Sequence, residues 1–345
     1  MHYRKAIAIA VFCCALLPIA LAFQAATPVK GQWMIDGTPV DGKVELTLRG
    51  THGGSGHFTS SSTVPMDQLR GLTRSQMESA GTNVRFEIVR DAGTLACEGY
   101  FKAGAGSGAF TFAPNQKFAA EMQSLGYGGL PADEVFSMAV HDVTLAYARD
   151  IRSLGLAAVS LDQLVAMRIH GVSVEYIKAM KALGYNDLAA DDLVAMQIHG
   201  VAIEYVKAMK ALGYSDLTAD NLVAMKIHDV SAEFAREMKA LGINPSIDQL
   251  VAMRIHGVTT EFPKELKTLG YGSITADQMV AMRIHGATTD FVKQIKSFGY
   301  SPTVDQLVAM RIHGVTPEYI RSLLARGMKN LTIDQLVNLK IHGID

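Results

Sequence analysis

From residue 115 to the end one phrase keeps returning. It stands as "LVAMRIHGV" at Leu164 and comes back as "LVAMQIHGV", "LVAMKIHDV", "MVAMRIHGA" and "LVNLKIHGI". Its histidines fall at 141, 170, 199, 228, 256, 285, 313 and 342, spaced 29, 29, 29, 28, 29, 28 and 29 residues apart. An aromatic series keeps step (Phe118, Tyr147, Tyr176, Tyr205, Phe234, Phe262, Phe291, Tyr319), and so does a glycine series from Gly126 to Gly327. Three registers held through eight units mean tandem repeats. Each unit is one supersecondary element that buries its apolar side only by stacking on its neighbours.

Each repeat reads as two short helices. The first opens on a capping box, Ser160-x-x-Gln163, Ser246-x-x-Gln249, Thr275-x-x-Gln278, Thr303-x-x-Gln306 or Thr332-x-x-Gln335, in which hydroxyl and amide satisfy exposed backbone N–H groups reciprocally. Ala189 breaks that pattern. The helix closes at "IHG", where Gly171, Gly200, Gly257, Gly286, Gly314 and Gly343 supply left-handed caps and Asp142 and Asp229 replace the glycine. The second helix is expected to start at Ser173, Ser231, Thr259, Thr288 or Thr316, with Pro317 at a first helical position, and to end at "LGY" or a variant. The two 28-residue spacings lose their residue in the loop carrying Pro245 or Pro302. The second helix is amphipathic, whereas the first is apolar nearly all round. That division predicts a solenoid with the first helix sandwiched between repeats and the second outside.

Before residue 115 the period is two. "KVELTLR" puts Val44, Leu46 and Leu48 on one face, and "NVRFEIV" does the same with Val84, Phe86 and Ile88. "TLACEGYF" and "GSGAFTF" follow, "QWMID" and "HFTSSSTV" are weaker strands, and "PMDQLRGLTRSQMESAG" reads as a helical insertion. These make an antiparallel meander, curled or partly closed into a barrel. The fold class is therefore α+β and multidomain, with a small antiparallel β domain (27–114) followed by an α-solenoid of about eight short helical hairpins (115–345).

The first 22 residues read as a signal peptide. Arg4 and Lys5 precede an apolar run from Ala6 to Ala22, which ends in the small-x-small pattern Ala20-Leu21-Ala22. The expectation is an exported chain, periplasmic or secreted, beginning near Phe23; a retained anchor is the alternative. Signal removal leaves Cys97 as the single cysteine, with no disulfide framework, and the alternation places it beside Leu95 and Phe101 as an inert buried thiol. The formal charge is −1, and loss of Arg4 and Lys5 leaves 30 basic against 33 acidic residues, which is no footprint for nucleic acid.

Two repeated constellations carry chemistry. Met167/His170, Met196/His199, Met225/His228, Met253/His256, Met282/His285 and Met310/His313, with Met138/His141 before them, stand three apart on a helix. Thioether with imidazole suits Cu(I) or Ag(I), so a periplasmic soft-metal binder is the alternative function. Against it, each histidine lies in a last helical turn suited to imidazole capping, and two ligands leave an ion under-coordinated. The preferred reading is structural, with His256→Ala costing about 1 kcal/mol, and no cofactor is expected. The second constellation is a cationic row, Arg168, Lys226, Arg254, Arg283 and Arg311, continued by Lys340 and interrupted by Gln197. It either binds acids such as Glu204, Glu233 and Glu261 of adjacent repeats or lines a groove for an acidic partner. His52 and His57 in "THGGSGH" read as solvated turn residues.

The "QLVAMRIHGV" phrase and its relatives, including "LTIDQLVNLKIHGI", resemble helical repeats of bacterial envelope proteins. Some of these follow the membrane domain of antirepressor-type, β-lactam-sensor-like metallopeptidases. The resemblance covers residues 115 to 345 and implies an envelope location. It carries no activity across, because those peptidases need His-Glu-x-x-His and no histidine here precedes a glutamate. The functional expectation is a non-catalytic binding or scaffold protein whose solenoid engages a protein partner. An enzyme or small-ligand site in the β domain is a further alternative, lacking a nucleophile with a base, paired acids or a phosphate loop.

Overall fold

The computed structural model describes residues 29–52, 56–156 and 158–344. The signal segment, the mature start at Phe23 and the turn at residues 53–55 lie outside the described residues. Two compact units emerge. One holds the residues up to 119 together with 129–140; the other holds 120–128 and the residues from 141 onward.

The first unit is built on six antiparallel strands, β1 (Lys30–Ile35), β2 (Lys43–His52), β3 (Gly56–Pro65), β4 (Thr82–Arg90), β5 (Gly93–Lys102) and β6 (Ala105–Pro114). Their order is β3-β2-β1-β6-β5-β4. Two three-stranded meanders therefore join through β1 and β6, where Trp33 pairs with Gly108. The sheet is open, because β3 and β4 do not pair with each other among the described residues. The residues that alternation turns inward are buried, among them Val44, Leu46, Leu48, Val84, Phe86, Ile88, Leu95, Cys97 and Phe101. Trp33 lies at their centre with no exposed surface, and its indole N–H donates to the Glu98 carbonyl at 3.1 Å. Room for that indole comes from Gly99, where a Cβ would stand 2.5 Å from the Trp33 ring.

The expected helical insertion is only a 3₁₀ turn at Met66–Gln68 and a single turn α1 (Arg74–Met77), which still uses the Thr73/Gln76 capping box. Gly71, at φ +96°, separates the two, and Leu69, Leu72 and Met77 are buried. Helix α2 spans Gln116–Ser124, and α3 (Ala132–Val140) lies against β5 and β6. Phe136 of α3 stacks on Phe110 at 5.6 Å and meets Phe112 edge-on at 5.3 Å, so this first histidine-bearing helix covers the sheet.

In the second unit the first helices of successive repeats are α5 (Leu161–Ile169), α7 (Ala190–Ile198), α9 (Ala219–Ile227), α11 (Ile247–Ile255), α13 (Ala276–Ile284), α15 (Val304–Ile312) and α17 (Ile333–Ile341). The second helices are α4 (Leu145–Ser153), α6 (Val174–Ala182), α8 (Ile203–Ala211), α10 (Ala232–Ala240), α12 (Glu261–Thr268), α14 (Thr289–Ser297) and α16 (Pro317–Ala325). First helices stack on first helices and second on second, giving a two-layered helical solenoid. Its core is a methionine ladder, Met196, Met225, Met253, Met282 and Met310, without exposed surface. Unbranched thioethers fill such a repeated gap readily.

The caps follow the sequence with informative departures. All five Ser/Thr–Gln boxes form, and Thr218 with Asn221 makes another. At Ala189 half the box survives, since the Asp192 carboxylate accepts from the Ala189 N–H at 2.9 Å. The glycines after the histidines have φ of +66 to +74°, and Asp142 and Asp229 adopt the same left-handed conformation at +53 and +54°. Thr259 is not the N-cap of its helix. With that start Pro263 would occupy the position whose N–H bonds the cap carbonyl, and proline has none. Instead the Phe262 N–H takes the Thr259 carbonyl, and α12 begins at Glu261.

Candidate interaction surface

Each cation of the row is engaged by the preceding repeat. The guanidinium or ammonium lies over that repeat's aromatic ring, with Arg168 over Tyr147 at 5.1 Å, Lys226 over Tyr205 at 5.2 Å and Arg254 over Phe234 at 5.2 Å. Arg283 over Phe262 at 5.4 Å, Arg311 over Phe291 at 5.1 Å and Lys340 over Tyr319 at 4.6 Å continue the series. The same heads reach the preceding helix end. Arg283 Nε donates to the His256 carbonyl at 3.4 Å and Arg311 Nε to the His285 carbonyl at 3.3 Å. Where aspartate replaces the cap glycine it pairs with the cation, Arg168 with Asp142 at 3.4 Å and Arg254 with Asp229. The acids expected as partners lie elsewhere: Glu233 pairs with Arg236 and Glu261 with Lys264 on their own helices. At the interruption, Gln197 hydrogen-bonds to Tyr176. The row thus joins ring, helix end and neighbouring repeat.

A parallel ladder runs through the second helices and escaped the sequence reading. Lys210 lies over Tyr185, Lys239 over Tyr214 and Lys296 over Tyr271. Lys210 and Lys296 also donate to the Leu183 and Leu269 carbonyls, each at 2.8 Å. The signal was present as lysine in the "MKALGY" and "IKSFGY" segments one period after each tyrosine, but their helical-end position already had a dipole explanation.

The methionine–histidine pairs are not presented together. The sulfur-bearing side chains Met167, Met196, Met225, Met253, Met282 and Met310 have no exposed surface. His170, His199, His256, His285 and His313 are exposed, and His141 and His228 are half-buried. The expectation that neighbouring helices cover these imidazoles is therefore corrected. The helix-end carbonyls are met instead by the left-handed turn, as where Val172 N–H donates to the Met167 carbonyl at 2.8 Å, and by the cations described above. Burial lowers the His141 pKa. No group of three or more His, Cys, Asp or Glu side chains is arranged to hold a metal ion among the described residues.

The outward side of the first-helix layer carries a different row. Ile169, Ile198, Ile227, Ile255, Ile284, Ile312 and Ile341 are each 51–54% exposed. Seven identical exposures at one repeat position reflect one uncovered helix face, because each first helix packs sideways onto first helices. The sandwiched arrangement expected for these helices is corrected accordingly. Seven residues earlier on the same azimuth stands an exposed aspartate in every repeat, Asp162, Asp191, Asp220, Asp248, Asp277, Asp305 and Asp334. None of these seven forms an ion pair among the described residues. Three accept an amide from the preceding repeat: Asp191 from Gln163 at 3.0 Å, Asp277 from Gln249 at 2.9 Å and Asp334 from Gln306 at 3.4 Å.

On the sheet unit, an open depression is lined by Gln76, Asn83, Arg85, Glu98, Tyr100 and Ser107, and Arg85 pairs with Glu98 at 3.2 Å. A second is lined by Lys30, Gln32, Arg49, His57 and Phe58. Neither brings a nucleophile to a base. Cys97 is buried, and burial pushes its thiol up to about 12, so the thiolate is disfavoured. No helix among the described residues is long and apolar enough to cross a membrane. No protein-family model, curated protein or solved structure matches the chain.

Proposed function

We propose that this is an exported, non-catalytic scaffold protein that binds a protein partner through the first-helix face of its solenoid. The observation carrying the reading is the row of seven half-exposed isoleucines. Soluble monomers rarely expose continuous apolar patches beyond a few hundred Å² unless the patch has a binding role. Export is supported by the basic n-region, apolar run and Ala-x-Ala pattern of the first 22 residues. The non-catalytic reading is supported by depressions without a nucleophile–base pair and by the disfavoured Cys97 thiolate. The cationic row is better suited to cohesion between repeats than to capture, since its charged heads already have partners.

The test is affinity capture from an envelope extract with the full chain and an Ile255→Ser/Ile284→Ser variant as baits. Surface isoleucines contribute little to folding, so the variant should retain its melting temperature and lose its partner. Identical capture by both baits would remove this face from consideration.

A further inference from the structure

Resting on that reading, we infer that the partner presents an extended, basic polypeptide segment in which every third side chain is apolar. Three observations lead there. The isoleucines recur once per repeat, and stacked helices lie ~8–10 Å apart. A polyproline-II chain rises about 3.1 Å per residue with three residues per turn, so one of its faces recurs every ~9 Å. An α-helical ligand has a pitch of ~5.4 Å and a β-strand repeats a face about every 6.6 Å, so neither keeps step along the layer. An extended chain with three residues per repeat does.

Charge sets the second property. Beyond the isoleucines the face carries seven exposed aspartates with no ion pair. Arg168, Arg254, Arg283 and Arg311, at the other end of the helices, already lie over rings and against carbonyls or aspartates. The unmatched charge is negative. A second copy of the chain would bring the same unmatched aspartates and the same engaged cations. Anionic lipid or nucleic acid would be repelled. Lysine or arginine side chains flanking the apolar positions of an extended segment meet the carboxylates directly.

The third observation is size. Seven nine-residue helices at that spacing present a band on the order of 800 Å², about one partner's share of a standard stable interface. A segment of about 20 residues spans it, and its repeated weak contacts add along the length.

The experiment measures fluorescence anisotropy of a labelled 24-residue peptide, (Lys-Pro-Leu)8, titrated with the full chain. (Glu-Pro-Leu)8 and (Lys-Pro-Ser)8 serve as comparison probes. Saturable binding of the first, at least tenfold tighter than either comparison, is expected. Ile255→Ser/Ile284→Ser should weaken it at least tenfold. Asp248→Asn/Asp277→Asn should weaken it about threefold or more and flatten its salt dependence. Equal binding of the glutamate peptide, no binding, or indifference to both variants overturns the inference. Concentration-dependent dimerisation that the isoleucine variant abolishes overturns it too, because the occupant is then a second copy. If the peptide fails but the isoleucine variant still loses its partner in the envelope capture, only the partner chemistry is wrong. If capture is unchanged as well, the interaction face itself is wrong.

Discussion

At the scale of single residues, the position after each histidine shows how backbone geometry selects sequence. It needs a left-handed conformation, which costs an ordinary L-residue ~1–2 kcal/mol and costs glycine little. Asp142 and Asp229 occupy it without a glycine, and aspartate is one of the few side chains that tolerates that region. A Cβ at Gly171 would meet nothing within 4 Å, so substitution there isolates the backbone effect from packing. Gly171→Ala is expected to lower stability by about 1 kcal/mol and Gly171→Asp by clearly less, read from urea midpoints at unchanged slope. An equal loss for both would assign the effect to something other than φ. The neighbouring histidine behaves differently. His256 is exposed, so His256→Ala should change stability by less than about 0.5 kcal/mol, smaller than the capping role read from sequence implies. Its place in every repeat has no stability account in the structure.

At the scale of elements, repeats are joined by cations and hydroxyls as well as apolar contact. Arg283→Gln removes a cation from the Phe262 ring and a donor from the His256 carbonyl, and should cost about 1 kcal/mol. Lysine holds the equivalent place at Lys226 and Lys340, so Arg283→Lys should recover most of that loss in the same melting assay. Full recovery by glutamine instead would show that the ring contact contributes nothing. The tyrosines add a pH dependence. Tyr205 donates its hydroxyl to the Val230 carbonyl at 2.7 Å, and burial pushes its pKa up to about 12; Tyr147 makes the same bond to Val172 and is raised likewise. A phenol whose folded pKa exceeds its unfolded value stays neutral longer in the fold. Its contribution is intact below pH ~10 and lost as pH rises through ~12. Thermal stability should fall across that window. Tyr205→Phe should cost about 1 kcal/mol at pH 8 through the lost hydrogen bond, yet decline less steeply above pH 10. Parallel alkaline profiles for wild type and variant would exclude the hydroxyl as a source.

At the scale of the molecule, legibility followed periodicity. Strand alternation placed Val44, Phe86 and Cys97 inward, and the 28–29-residue register gave the helical hairpins, because both depend on local chain geometry. What escaped depends on contacts a period apart or on topology. The joining of β1 to β6 needs the whole sheet, and the start of α12 turns on one missing N–H at Pro263. The open isoleucine face needs the knowledge that first helices pack sideways, which an all-round apolar helix does not reveal. The candidate site was therefore sought among charges and histidines when the uncovered feature was aliphatic. A stack whose helices meet chiefly equivalent helices of adjacent repeats has a consequence for length. Stability becomes a sum over repeats and their interfaces, without a centre that must be kept. Deleting residues 171–199 joins His170 to Gly200, removes one 29-residue period and leaves every remaining helix facing an equivalent neighbour. The shortened chain should fold with helical circular dichroism reduced by about one repeat's share and a smaller urea slope, because less surface is exposed on unfolding. Deleting residues 171–185 instead removes one helix of a pair, placing a first-layer helix where a second-layer helix belongs. That variant should unfold at markedly lower urea. If both deletions behave alike, the repeat is not the unit of stability, and the register visible in the sequence reflects something other than packing.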